Sequence, residues 1–255
     1  MATSILFDLS GKVAIVTGGN GGIGRGIALG LAAAGASVAI FGRNEQKNAS
    51  VLAELQSIGV PAMAAKVDVT DRDGLEPAVH AVTSTLGDVD ILVNNAGIAS
   101  LSGGILQETA QDWDNVIETQ LNSVFLLSKI VGQGMAERKS GKIINIGSMY
   151  SIFGSELVPS YSAAKGAIIQ LSKSMAIELA PHNIQVNTII PGWIETEMTA
   201  AIRQSPMSDE IVARTPAGRW GTADEFAGAA VFLSSSAADF ITGESLRVDG
   251  GYAIK

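Results

Sequence analysis

The sequence predicts an α/β fold, with a single doubly wound, seven-stranded parallel sheet and helices on both of its faces. Short apolar runs alternate with longer helical patterns over the whole 255 residues, which is typical of successive βαβ units. The apolar runs are nearly continuous, as strands buried on both faces require. No linker rich in Pro or Ser and no internal repeat divides the chain, so we expect one domain over residues 1–255.

The predicted elements alternate regularly. The strands are the short apolar runs, namely Lys12–Thr17, Ser37–Phe41, Ala62–Val67, Ile91–Val93, Lys142–Ile146, Gln185–Ile190 and Leu246–Val248. The helices are the longer patterned segments, namely Gly22–Ala34, Glu45–Ile58, Arg72–Leu86, Thr109–Glu137, Pro159–Ala180 and Ala223–Ser234. The longest stretch without a pattern, residues 193–221, follows the sixth strand and therefore lies at the carboxyl edge of the sheet, where ligands bind. We expect it to act as a substrate lid.

Composition excludes several classes of protein. Hydrophobic residues make up 47% of the chain and charged residues 16%, which favours a buried core over disorder. The net charge of −8 argues against a nucleic-acid partner, and the lack of cysteine with only two histidines argues against a metal site. The uncharged run 26–42 is shorter than the roughly 20 residues of a membrane span. Since the N-terminus also lacks a secretory pattern, we expect a cytoplasmic protein with no membrane partner.

A glycine-rich loop, Thr17–Gly24, joins the first predicted strand to the first helix. Its glycines allow positive φ angles and close approach to a pyrophosphate, and the helix N-terminus offers free N–H groups. The pattern alone is weak evidence, but a preceding strand and a following helix are typical of dinucleotide binding in a Rossmann fold. The alternative is a tight turn without a ligand. The residues assigned to the cofactor here are Gly18, Asn20, Gly22, Ile23 and Gly24.

The end of the second strand indicates which dinucleotide is bound. An acidic residue there reads the 2′-hydroxyl of NAD, whereas an arginine accepts the 2′-phosphate of NADP. This chain has Arg43 there, with no carboxylate before Glu45. NADP(H) is therefore favoured, with NAD(H) as the second candidate. The alternative is that Arg43 is simply a solvated residue that opens the next helix.

Tyr161 and Lys165 are four residues apart in a predicted helix, so they lie one turn apart on one face. A phenol has an unperturbed pKa of about 10. A nearby ammonium favours the phenolate, so we expect Lys165 to lower the pKa of Tyr161 and allow proton exchange with an alcohol or ketone. A YxxxK pattern also occurs by chance on exposed helices. The glycine-rich loop and Ser148, thirteen residues before the tyrosine, favour the catalytic interpretation.

These motifs, with three others in the expected order, resemble the short-chain dehydrogenase/reductase superfamily over nearly the whole chain. The matching segments are Gly18–Gly24 (TGxxxGxG), Asn94–Gly97 (NNAG), Ser148 with Tyr161 and Lys165 (catalytic serine and YxxxK), Pro191–Thr196 (PG-x-x-x-T) and Asp68–Val69 (the adenine pair). The resemblance implies further cofactor contacts by Asp68, Val69, Asn95, Ala96, Gly97, Tyr161, Lys165, Pro191, Gly192, Ile194 and Thr196.

The resemblance also implies the catalytic roles. Tyr161 would exchange a proton with the substrate oxygen while the nicotinamide exchanges a hydride with its carbon. Ser148 would hydrogen-bond the same oxygen, and Lys165 would lower the tyrosine pKa and bind the nicotinamide ribose. One position departs, because Gln120 stands where the family usually has a catalytic asparagine, and Asn122 does not share its helix face. We expect an altered proton relay to Lys165 with turnover retained.

Candidate substrate residues flank the catalytic ones or belong to the lid. Besides Ser148 they are Met149, Tyr150, Phe153, Trp193 and Met198, and each is equally an ordinary packing residue. Pro216–Gly221 with Val158–Tyr161 resembles bacterial sugar-acid dehydrogenases, whereas the general layout equally resembles 3-oxoacyl-carrier-protein reductases. We expect an oxidoreductase of a small carbonyl or secondary alcohol, with a sugar acid or polyol favoured. A non-catalytic dinucleotide sensor is the alternative from another class.

The resemblance further implies a homo-oligomer, a dimer or homotetramer, built on the helices Thr109–Glu137 and Pro159–Ala180. Apolar positions on these helices fit either that interface or the chain's own sheet, and the candidates are Val124, Leu127, Val131, Ile168, Leu171 and Met175.

Overall fold

One parallel sheet of seven strands organises the chain. The computed structural model describes residues 6–99 and 101–255. The strands are β1 (Val13–Thr17), β2 (Ser37–Gly42), β3 (Ala62–Lys66), β4 (Ile91–Asn94), β5 (Gly141–Ile146), β6 (Ile184–Pro191) and β7 (Ser245–Val248), and they lie in the order β3-β2-β1-β4-β5-β6-β7. The predicted fold class is confirmed. The winding direction reverses between β1 and β4, and a ligand crevice is expected at the carboxyl ends there.

Helices cover both faces of the sheet. They are α1 (Gly22–Ala33), α2 (Glu45–Ile58), α3 (Arg72–Leu86), α4 (Ala110–Ile117), α5 (Ser123–Arg138), α6 (Pro159–Leu179), α7 (Ala200–Arg203), α8 (Met207–Arg214) and α9 (Ala227–Ser234). One apolar core packs α1, α2 and α9 on the sheet, and a second packs α3, α5 and α6 on the other face. Successive residues of β1 alternate between the two cores, because side chains alternate along a strand.

The uncharged run 26–42 forms parts of two buried elements, a helix and a strand. It contains most of α1 and all of β2, separated by Gly35 at a φ of 101°. A Cβ on Gly35 would lie 2.6 Å from Ser10 Oγ, so only glycine fits this turn. Within residues 6–99 and 101–255, no helix combines the length and apolar character needed to cross a membrane.

The long helix predicted over Thr109–Glu137 is continuous from Ala110 to Arg138, but it contains a π turn that was not predicted. A π turn at Glu118–Asn122 separates α4 from α5, and Gln120 lies in it with 1% of its surface exposed. A π turn adds one residue to a helical turn without ending the helix, so the apolar pattern runs on through it. Such turns are frequent at functional sites.

Most of the apolar positions considered for a subunit interface face the chain's own core. The buried ones are Val124, Leu127, Val131, Ile168 and Met175. Of these, Leu127, Val131 and Met175 belong to the second core, and Leu171 is partly buried against that core. On the same two helices, Phe125 is 49% exposed and Ile177 79% exposed. Homo-oligomer formation stays a prediction.

The segment 193–221 is more regular than expected, because it contains the short helices α7 and α8. They pack through a small third core in which Ile211, Trp220 and Tyr252 are buried. These helices have four and eight residues, which is too short for a helical period of apolar residues to be recognised in the sequence. Whether the segment closes over a substrate stays a prediction.

Candidate active site

A cleft of about 670 Å³ lies at the carboxyl edge of the sheet. It is lined by most of the residues that the sequence assigned to a cofactor or to catalysis, namely Gly18, Asn20, Gly22, Ile23, Arg43, Asp68, Val69, Asn95, Ala96, Gly97, Gln120, Ser148, Tyr161, Lys165, Pro191, Gly192, Ile194 and Thr196, together with Met198. Five assigned residues do not line it: Gly24, Met149, Tyr150, Phe153 and Trp193. One cleft therefore brings together segments from the whole chain.

The glycine-rich loop is shaped for close backbone approach. Gly18 and Gly22 have φ angles of 62° and 48°, which disfavour other residues. Gly24 lies beneath the loop, where a Cβ would come 2.3 Å from the carbonyl oxygen of Gly18. Gly21 is the N-cap residue of α1 and, in the part of the chain that the structure describes, no side chain caps this helix. The first N–H groups of α1 are therefore free to bind a ligand in the cleft. This cradle fits a dinucleotide pyrophosphate.

The segment after β4 holds the loop in place. Asn95 Nδ2 donates to the carbonyl oxygens of Thr17 and Gly18, at 2.9 and 3.3 Å. The hydroxyl oxygen of Thr17 accepts from the backbone N–H groups of both Asn95 and Ala96, each at 2.9 Å. The NNAG segment is thus fixed beneath the loop, and Asn95, Ala96 and Gly97 line the cleft.

Two basic residues, Arg43 and Lys47, line the end of the cleft next to β2. Arg43 is largely exposed, and its Nη1 lies 3.8 Å from Asp68 Oδ2, a loose contact that leaves the guanidinium available. Burial alone would raise the pKa of Asp68, but hydrogen bonds from Thr70 and the charge of Arg43 lower it overall. Lys47, in the first turn of α2, lines the same end and pairs with Glu197 of the segment 193–221 at 2.5 Å.

Ser148, Tyr161 and Lys165 converge at the other end. Ser148 follows β5 and begins a short 3₁₀ turn, Met149–Ser151, while Tyr161 and Lys165 occupy the first two turns of α6. Lys165 is 5% exposed, and its Nζ donates to the carbonyl oxygen of Ile146 at 2.7 Å. Ser151 ties the two elements, since its hydroxyl donates to the Lys165 carbonyl oxygen and accepts from the Ser148 N–H.

Burial governs the ionisation of the tyrosine. It raises the pKa of Tyr161 to about 12, and the hydrogen bond with Ser148 offsets only part of that effect. Burial also lowers the pKa of Lys165 to about 7, because the ammonium loses its hydration. The pKa of Tyr161 therefore changes in the direction opposite to the expected one, because burial outweighs the other effects. A lowering contribution from Lys165 stays a prediction. Its Nζ lies 5.5 Å from the centroid of the tyrosine ring and is engaged by a backbone carbonyl.

Gln120 reaches the cleft from the π turn. Its Nε2 donates to the carbonyl oxygen of Ile98, whereas its Oε1 is buried and has no hydrogen-bond partner among residues 6–99 and 101–255. A Cβ on Gly97 would lie 2.7 Å from Gln120 Nε2, so the glycine makes room for the longer amide. Asn122 does not take its place, because its side chain donates to the Glu118 carboxylate. The effect of Gln120 on a proton relay stays a prediction.

The proposed substrate residues form an aromatic wall beside Tyr161. The ring of Tyr150 lies edge-on to those of Tyr161, Phe153 and Trp193, with centroids 6.2, 5.9 and 6.4 Å away. Met149 is buried in the core behind this wall, whereas Met198 is 51% exposed and lines the cleft. The sequence is compatible with either packing or substrate contact for these residues, and Met149 is a packing residue.

Sequence reasoning missed two features of the site. Lys47 was not singled out, although a second basic residue in the helix that follows Arg43 was a readable signal. A buried polar network behind α6 matches no sequence motif. In it, Asn94 Nδ2 donates to Asn145 Oδ1, Asn145 Nδ2 donates to Ser172 Oγ, and Thr188 Oγ1 donates to the same hydroxyl. It ties β4, β5 and β6 to α6.

Comparison with known proteins places the chain in a family. A family model described as enoyl-(acyl carrier protein) reductase matches residues 18–253. The 2-dehydro-3-deoxy-D-gluconate 5-dehydrogenase of Formosa agariphila is 45% identical over 96% of this chain and 94% of its own length. The gluconate 5-dehydrogenase of Gluconobacter oxydans is 42% identical over 98% and 97%. Among solved structures, a gluconate 5-dehydrogenase from Burkholderia cenocepacia in complex with NADP and tartrate has a TM-score of 0.94 at 39% identity, covering 99% of both chains. The chain therefore belongs to the short-chain dehydrogenase/reductase superfamily and is an oxidoreductase acting on CH–OH/C=O groups.

Proposed function

We propose that the protein transfers a hydride between NADP(H) and a small carbonyl or secondary-alcohol substrate of the sugar-acid or polyol class. The observation that carries the proposal is the meeting of Ser148, Tyr161 and Lys165 in the cleft that the glycine-rich loop opens. When bound, the nicotinamide cofactor supplies or takes up the hydride. The relatives named above support the sugar-acid class.

Tyr161 transfers the proton, and Ser148 and Lys165 assist it. With its pKa raised to about 12, Tyr161 carries its proton at neutral pH and donates it to the oxygen of a carbonyl substrate during reduction. The Ser148 hydroxyl hydrogen-bonds that same oxygen and stabilises the negative charge that develops there. Lys165 contributes a positive charge behind the tyrosine whenever it is protonated.

The preference for NADP(H) follows from the charges at the β2 end of the cleft. Arg43 offers an exposed guanidinium whose only ion-pair contact among the described residues, with Asp68, is 3.8 Å long. Lys47 adds a second cation in the same part of the cleft. An arginine suits phosphate because its planar fork donates two parallel hydrogen bonds. The glycine-rich loop and α1 bind the pyrophosphate in the same proposal.

A second candidate, 3-oxoacyl-carrier-protein reductase, is less well supported by the surface charges. An acidic carrier partner requires free cations near the mouth of the cleft. Arg203 pairs with Glu195 at 2.7 Å, and Arg219 pairs with Glu225 at 2.5 Å. The third cation of this segment, Arg214, lies over the rings of Phe153 and Tyr252, with its guanidinium 5.3 and 4.4 Å from their centroids. All three cations are thus already in contact with the chain itself, so the small-substrate proposal is favoured.

The test is turnover by the purified protein with NADPH and a panel of ketoacids, ketoses and acyl thioesters. We expect oxidation of NADPH with a keto sugar acid or a ketose, and loss of nearly all of it in Tyr161→Phe with NADPH binding retained. Tyr252→Phe is the matched control, because Tyr252 packs in the third core away from the cleft lining. Tight NADPH binding without turnover of any carbonyl would instead identify a dinucleotide sensor.

A further inference from the structure

The helix that carries both Tyr161 and Lys165 lacks a cap from its own sequence. Its N-cap residue is Val158, which has no side-chain hydrogen-bond acceptor, and Pro159 opens the first turn. The first N–H groups of a helix have no partner within the helix, so a helix end needs an outside acceptor or water to be well ordered. For this helix the question matters, since Tyr161 lies in that first turn.

A distant carboxylate supplies the acceptor. Glu108 Oε2 accepts from the backbone N–H of Ser160 at 3.2 Å, and Glu108 Oε1 accepts a short hydrogen bond from the Ser160 hydroxyl. Ser160 is fully buried and directly precedes Tyr161. A negative charge is also favourable at a helix N-terminus, where the helix dipole is positive. Both oxygens of one carboxylate are thus used on one residue of the catalytic turn.

Glu108 is itself held in place. The carbonyl oxygen of Gly104 accepts from the N–H groups of Gln107 and Glu108, at 3.0 and 2.9 Å, which closes a tight turn before the carboxylate. Gly104 is buried at a φ of 112°, and a Cβ there would lie 2.9 Å from the carbonyl oxygen of Glu156. This turn therefore packs against the chain that leads into α6, so the carboxylate is presented to Ser160 from a defined direction.

We propose that Glu108 is a positioning residue for catalysis, whose two hydrogen bonds to Ser160 fix the first turn of α6 and thereby the placement of Tyr161 opposite Ser148. The proposal rests on the function proposed above, because it assigns the proton transfer to Tyr161. Glu108 does not line the cleft, so it acts through Ser160 and not on the substrate.

The test compares Glu108→Leu with Glu108→Gln in the full-length protein, using NADPH and the best carbonyl substrate of the panel. A glutamine keeps both contacts, because its Oε1 accepts from the Ser160 N–H and its Nε2 donates to the Ser160 hydroxyl. Displacing a reacting group by about 1 Å can slow a reaction about 100-fold, so we expect Glu108→Leu to lower kcat by roughly 10- to 100-fold and Glu108→Gln by less than about threefold. KM and the NADPH dissociation constant stay close to the parent values in both.

Two further measurements distinguish a positioning effect of Glu108 from a non-specific loss of structure. Hydrogen exchange of the first-turn amides of α6 accelerates in Glu108→Leu but not in Glu108→Gln. Glu156→Leu, which removes an exposed carboxylate of the neighbouring loop, leaves both kcat and exchange unchanged.

The outcomes that overturn the assignment differ from those that overturn the proposed function. An unchanged kcat in Glu108→Leu would contradict the positioning role of Glu108 but not the proposed function. A loss of kcat matched by an equal loss of NADPH binding would do the same. Turnover retained in Tyr161→Phe would contradict the proposed mechanism. In that case the hydrogen-exchange measurement still shows whether Glu108 orders the first turn of α6.

Discussion

Lys165 shows how one residue of the site destabilises the fold that holds it. Its pKa is lowered to about 7 by burial, compared with 10.5 for a solvated lysine. Between these values the unfolded chain binds more protons than the folded chain, so the free energy of unfolding rises with pH. The penalty is present in full below about pH 7 and disappears as the pH rises past the value for the unfolded chain.

Lys165→Met should remove this dependence. We expect the stability of the variant relative to the parent to be greatest near pH 7 and to fall by up to about 1.4 kcal/mol per pH unit towards pH 10. Denaturant unfolding at several pH values measures it, with Lys173→Met, an exposed lysine of the same helix, as the control. Parallel pH curves for the variant and the parent would contradict the assignment.

The roles of single residues were predictable where a sequence motif indicates the chemistry. Ser148, Tyr161 and Lys165 could be singled out because type and spacing together imply proton transfer. The direction of the pKa change at Tyr161 could not, since it depends on how deeply the phenol is buried. Glu108 could not be found either, because its contact with Ser160 joins residues 52 positions apart.

Among the elements, α6 depends on a polar network that crosses the sheet. The hydroxyl of Ser172 accepts from Asn145 Nδ2 at 2.8 Å and from Thr188 Oγ1 at 3.0 Å, and it donates to the Ile168 carbonyl oxygen at 2.7 Å. Ser172, Asn145 and Thr188 are all at most 1% exposed. A buried polar group that loses its partner costs more than the hydrogen bond itself contributes.

Ser172→Ala should therefore destabilise the protein by about 1–3 kcal/mol, because it leaves two buried donors without an acceptor. Ser174→Ala is the matched control, since Ser174 is exposed on the same helix and donates only to the Gln170 carbonyl oxygen. We expect a change within about 0.5 kcal/mol for the control. Equal unfolding midpoints for the two variants would show that the network contributes nothing measurable.

Elements were predictable in proportion to their regularity. The strands could be placed to within a few residues, because a parallel strand buried on both faces has few polar interruptions. The π turn at Glu118–Asn122 was missed because it does not interrupt the helical apolar pattern. The helices α7 and α8 were missed because they are too short to show a period.

At the scale of the whole molecule, one ion pair joins the two sides of the cleft. Lys47 of α2 and Glu197 of the segment 193–221 are 150 residues apart, and their side chains meet at 2.5 Å. Both line the cleft, and Glu197 is 84% exposed at its side chain, so the pair is weak in water. Glu197 holds a cation that the phosphates of NADP(H) would otherwise attract, and it adds a negative charge beside them.

Glu197→Gln should therefore bind NADPH more tightly. An exposed ion pair contributes about 0.2–1 kcal/mol, so we expect a dissociation constant about 1.5- to 5-fold lower, with little change in the unfolding midpoint. Fluorescence titration at low and high salt measures it, and the gain should shrink at high salt because screening weakens exposed charges. Glu195→Gln is the control, since Glu195 lies two residues away and pairs with Arg203 outside the cleft lining. Weaker NADPH binding in Glu197→Gln would mean that the pair holds the cofactor in place rather than competing with it.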